Sequence, residues 1–115
     1  MTGYLVQIIL PLYGASGQLF GRAPFAAVRR ELTDRFGGTT AYTRAPAEGT
    51  WEDPDGRVHH DDVIVVEVMT ETIDRVWWRE YAAELARRFE QDTVVVRAMA
   101  YESLDRGNSS APGLT

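Results

Sequence analysis

A chain of 115 residues with 44% hydrophobic and 25% charged side chains has the make-up of one globular domain with a single core. Its formal net charge is −5, and its twelve basic residues are all arginine and form no run, which argues against a nucleic-acid binder. The absence of cysteine excludes disulfides, thiolate catalysis and Cys-ligated metal sites, and no apolar run approaches the roughly 18 residues of a membrane span.

The N-terminal M-T-G-Y has no basic leader segment, so a soluble cytoplasmic protein is expected. Tyr4 to Leu12 reads as a first strand. Tyr4, Val6, Ile8 and Leu10 share one face, and Leu5, Gln7 and Ile9 share the other. Both faces are largely apolar, which places this strand in the middle of a sheet. Tyr13 to Ala23, with three glycines, reads as a flexible loop. It lacks the G-K-[S/T] ending of a phosphate loop. A helix is expected from Pro24, with Phe25, Val28, Leu32 and Phe36 as its apolar stripe. Arg29, Arg30, Glu31 and Asp34 are assigned to water, and Gly37-Gly38 ends the helix.

Thr39 to Arg44 is a short second strand. Pro46 and Gly49 break the next segment, and D-P-D-G (Asp53 to Gly56) is a turn between Trp51-Glu52 and Arg57-Val58. The third strand, from about Val58 to Met69, contains the strongest strand-forming run of the chain, D-D-V-I-V-V-E-V-M. Ile64, Val66 and Val68 lie on one face; Val63, Val65, Glu67 and Met69 lie on the other. Thr72 is the expected N-cap of a second helix, with Asp74 in its first turn. Trp78, Tyr81, Ala82, Leu85 and Phe89 form its stripe, Trp77 stands to one side, and Glu80, Glu84, Arg87 and Arg88 face water. The fourth strand is Thr93 to Tyr101, with Val95, Arg97, Met99 and Tyr101 on one face. From Ser103 the composition turns polar and small, so residues 1–102 form one domain and 103–115 a disordered tail.

The order β-α-β-β-α-β implies an α+β, ferredoxin-like fold. A four-stranded antiparallel sheet in the order 4-1-3-2 carries both helices on one face. The other face should alternate to polar if it met water. It does not, and burying each such side chain is worth roughly 1.5–3 kcal/mol. A homo-oligomer, most simply a two-fold dimer packed sheet against sheet, is therefore expected. In the rival arrangement the Ala45–Arg57 excursion covers that face.

Gln7, Glu67 and Arg97 punctuate three apolar strand faces. With matching register they lie side by side, Gln7 between a buried or nearly buried charged pair. Tyr42, Arg44, Trp51 and Tyr101 can rim the same space. One reading is a pocket for a small polar or aromatic ligand, Arg97 holding an anionic group and Glu67 acting as a base. The other is a polar network that sets dimer register. In H-H-D-D (His59, His60, Asp61, Asp62), each strand face offers one His and one carboxylate, where zinc wants three or four ligands. A solvated hairpin stem is the favoured account of them, and no metal or cofactor is assigned. Trp77-Trp78 reads as core and helix-edge packing, or as an aromatic wall. The serines lack a nucleophile-elbow context, so no hydrolase is proposed.

Across Arg35 to Trp51, D-D-V-I-V-V-E-V-M, W-W-R-E-Y and F-E-Q-D-T-V-V-V-R-A, the chain resembles a group of small bacterial proteins of unassigned function. Its layout is more distantly similar to the dimeric α/β-barrel proteins, whose ferredoxin-like subunits pair by their sheets. Some of those are cofactor-free monooxygenases and others bind ligands. The resemblance carries over no residue role; the residues themselves lead to a ligand-binding homodimer, with an enzyme of the dimeric α/β-barrel kind using Arg97, Glu67 and His60 beside Tyr42 and Trp51 as the second expectation and a protein-interaction module as the third. Fold alone does not choose among these.

Overall fold

The computed structural model describes residues 2–38, 40–44, 51–52, 58–59 and 63–105. In chain order the elements are β1 (Thr2–Pro11), α1 (Arg22–Phe36), β2 (Thr40–Arg44), β3 (Trp51–Glu52), β4 (Val58–His59), β5 (Val63–Thr70), α2 (Arg75–Arg88) and β6 (Val95–Glu102). The three long strands are the three Val/Ile-rich alternating runs of the sequence. β1 lies between the other two, antiparallel to both, with Gln7 opposite Glu67 on one side and Arg97 on the other. The backbone of β2 pairs along the outer side of β5, from Thr40 opposite Glu67 to Arg44 opposite Val63. β3 and β4 pair as a separate two-stranded ribbon, Trp51 opposite His59.

Period-two alternation turns Val6, Ile8 and Leu10 of β1 to the same side as Val66 and Val68 of β5. These meet Val28 and Leu32 of α1 and Trp78, Tyr81 and Leu85 of α2, with Phe89 and Val94 closing the layer. Both helices thus cover one sheet face. Their stripes are those the 3.6-residue spacing predicts.

Several boundaries differ from expectation. α1 starts at Arg22, so Pro24 sits inside the first turn, where its missing N–H is no loss. Gly37 closes α1 in the left-handed region at φ 90°, its N–H donating to the Thr33 carbonyl. Asp74, not Thr72, caps α2: its side chain accepts from the Trp77 N–H at 3.1 Å. The third predicted strand appears as β4 and β5, with residues 60–62 outside the described ones. The fourth begins at Val95 rather than Thr93.

The glycine-containing loop after β1 is more ordered than its composition implies. Gly14 N–H donates to the Gln18 carbonyl, and Phe20 N–H to the Leu12 carbonyl. Phe20 then packs edge-on against Phe25 and Phe89. Glu31 is not in open water either. The Tyr81 hydroxyl donates to its Oε1 at 2.8 Å and Arg88 Nη1 at 2.9 Å, while Arg88 Nε reaches Glu84. Arg35, in the last turn of α1, lies 4.2 Å from the Trp77 ring centre and 4.0 Å from the Asp74 carboxylate. Among the described residues, no helix is long and apolar enough to cross a membrane. The predicted tail beyond Asp105, and most of the Ala45–Arg57 segment, lie outside the described residues.

Candidate functional site

The helix-free face of the sheet is built in rows, because antiparallel register places every second residue of three strands side by side. Tyr101 stands opposite Gly3, and Met99, Leu5 and Met69 form the next row. Arg97, Gln7 and Glu67 form the row after it, followed by Val95, Ile9 and Val65. A polar row is therefore held between two apolar ones. None of the apolar residues in these rows belongs to the core beneath the helices.

Within the polar row, Arg97 Nε donates to Gln7 Oε1 at 2.9 Å, and Gln7 Nε2 donates to Glu67 Oε2 at 2.7 Å. The sequence reading placed Gln7 between the two charges, and the register does so. The expected buried charged pair is corrected: Arg97 is exposed, Gln7 and Glu67 are half-buried, and the carboxamide relays between them. An edge strand such as β6 has a neighbour on one side only, so its side chains keep contact with water. The terminal nitrogens of Arg97 make no further hydrogen bond among the described residues, leaving donors that suit an anionic or carbonyl group.

The apolar rows are unevenly covered. Val65 is 2% exposed, whereas Met69 is 63%, Val95 47% and Met99 43% exposed. Open apolar surface thus concentrates beside β6 and at the Thr70 end of β5. At that end Gly3 is required for close approach. A Cβ there would lie 2.6 Å from the Thr70 carbonyl oxygen and 3.3 Å from the Tyr101 ring.

The remaining predicted residues sit as follows. Tyr42 holds the register position opposite Val65, beside the Val95–Ile9–Val65 row, Arg44 that opposite Val63, and Trp51 lies in the β3–β4 ribbon. His59 is in that ribbon, while His60, Asp61 and Asp62 lie outside the described residues. Among the described residues no three His, Cys, Asp or Glu side chains gather as a metal site would require.

On the opposite side of β6 the structure holds a cleft that the sequence reading missed. It has a volume of about 420 Å³ and lies between β6 and the first half of α2. The signal for it was present as Arg75 and Arg79, two like charges one helical turn apart at a helix start.

No family model matches the chain, and no curated protein sequence matches it. Two solved structures share its fold. One is a phage SAM lyase in complex with S-methyl-5'-thioadenosine, with a TM-score of 0.56, 14% identity, and coverage of 84% of this chain and 80% of that one. The other is a phage SAM lyase in the apo state, with a TM-score of 0.57, 13% identity, and coverage of 86% and 81%. At such identity the likeness speaks to the small α+β fold.

Proposed function

We propose that this chain is a small-molecule-binding protein that works as a homo-oligomer, most simply a two-fold dimer paired through the helix-free sheet face. The observation that carries the reading is the Arg97–Gln7–Glu67 row held between two apolar rows on that face. The apolar rows offer surface to a second copy. The polar row supplies the directed contacts that a small ligand needs in an otherwise greasy site. In this reading β2 is the fourth strand of a ferredoxin-like sheet in the order 4-1-3-2, and Tyr42 and Arg44 rim the site with Tyr101.

The ligand class is small and polar or aromatic. A protein of the same fold is known with S-methyl-5'-thioadenosine bound, which joins an aromatic base to a polar sugar and an apolar thioether. That compound is the first probe for a thermal-shift screen of metabolites. The account expects a saturable rise in melting temperature that Arg97→Met abolishes. No rise with any metabolite, or a rise that Arg97→Met leaves intact, would contradict it.

A second reading is an enzyme, supported by both neighbours being lyases by description. Glu67 would then act as the base and Arg97 as the charge stabiliser. Turnover of the bound compound that is lost in Glu67→Gln while binding persists would favour it.

A further inference from the structure

The cleft between α2 and β6 lies on the helix side of the sheet and does not rest on the pairing proposed above, although Arg97 of the polar row also reaches its edge. Its wall is apolar: Ile73, Trp78, Val94 and Val96 line it. Its rim carries Arg75 and Arg79, which are exposed and make no hydrogen bond or ion pair among the described residues.

Two features of these arginines run against local helix physics. Arg75 is the first residue of α2, at the positive end of the helix dipole, where the only carboxylate of the helix start is the N-cap Asp74, which is engaged with the Trp77 N–H. Arg79 follows one turn later on the same side, and like charges at that spacing repel. The other arginines of this helix behave differently. Arg87 and Arg88 lie in the last turn, where a cation is favoured, and both are paired with Glu84. Two exposed cations of like sign at the mouth of a cleft are favourably met by an anion. The volume is that of a small-ligand pocket rather than a single-ion site.

We infer that the α2–β6 cleft is a binding site for a small organic anion, its carboxylate or phosphate held between Arg75 and Arg79 and its apolar body laid on Ile73, Ala82 and Val96. Guanidinium groups suit both anionic heads, and the half-buried Ile73, Ala82 and Val96 leave apolar surface for a ring to cover.

The test titrates the full chain with four probes, benzoate, phenyl phosphate, acetate and inorganic phosphate, and follows tryptophan fluorescence and backbone amide shifts. Benzoate or phenyl phosphate should bind saturably, moving amides in residues 75–82 and 94–98, and at least tenfold more tightly than the ringless anion with the same head. Arg75→Gln/Arg79→Gln should weaken that binding at least tenfold. Without ligand, this variant should melt no lower than the parent, because the charges it removes oppose the helix. A preference between the two ring-bearing probes identifies the head group. Absence of saturable binding by either ring-bearing probe, equal affinity for ringless anions, unchanged affinity in the double variant, or a variant that melts well below the parent would each overturn the assignment.

Discussion

A carboxamide presents an acceptor and a donor at the same end of one uncharged side chain. Gln7 uses both at once, accepting from Arg97 and donating to Glu67. Leucine is of similar bulk, one atom shorter, and carries neither group. Gln7→Leu takes a donor from a half-buried carboxylate, so it should lower stability by about 1–3 kcal/mol. Urea denaturation checks this, and a change within error of zero would show that the relay contributes nothing. The row was legible in the sequence because each of three apolar runs carries one polar residue near its middle, and period two decides which face it takes. Its solvent exposure was not legible, since Arg97 on β6 differs from Glu67 on β5 only in what lies beside the strand. Arg75 and Arg79 escaped notice because attention to apolar spacing passes over charges on the wet side of a helix.

At the scale of elements, the two helices are tied by a polar clamp as well as by their stripes. Burial alone would raise the Glu31 carboxyl, but hydrogen bonds from Arg88 and Tyr81 outweigh it and hold the pKa below the ordinary 4.5. Hydrogen bonds from Arg87 and then Arg88 pull Glu84 down to about 2. Burial, and then the bond to Glu31, pushes the Tyr81 hydroxyl above its ordinary value of 10.0. A carboxyl whose pKa is lower in the folded state stabilises above its unfolded pKa, and that contribution is lost as pH falls through the folded one. Thermal stability should therefore fall as pH drops from about 4.5 toward 2. A raised tyrosine pKa adds a second loss above about pH 10. Glu31→Gln should lower the melting temperature at neutral pH and give a shallower acid decline, measured by circular dichroism across that range. An unchanged acid slope would remove Glu31 from the account. The clamp was missed because Glu31 and its partners are 50 and 57 residues apart. The available clue was Tyr81 on a buried stripe, since a buried phenol needs an acceptor.

For the molecule as a whole, the alternation of three Val/Ile-rich runs made the sheet and its helix-covered face readable. It also led to the expectation that the other face, with so many apolar side chains, is covered by a second copy. The structure refines that picture. Val65 is already covered within the chain, and the open apolar surface lies at Met69, Val95 and Met99 around the polar row. A chemical activity was not readable, because no motif with fixed catalytic spacing occurs and the site is assembled from three strands distant in sequence. Two phage SAM lyase structures extend the fold comparison, and binding chemistry then has to be argued from the rows and the cleft.

Pairing through the sheet face makes the most exposed demand of the account, and sedimentation velocity at micromolar concentration tests it. The chain should sediment at a multiple of its 12.9 kDa mass, and Met99→Asp, which places a charge in the upper apolar row, should shift it to the monomer while leaving circular dichroism unchanged. A parent chain that sediments at 12.9 kDa across that concentration range would contradict the account.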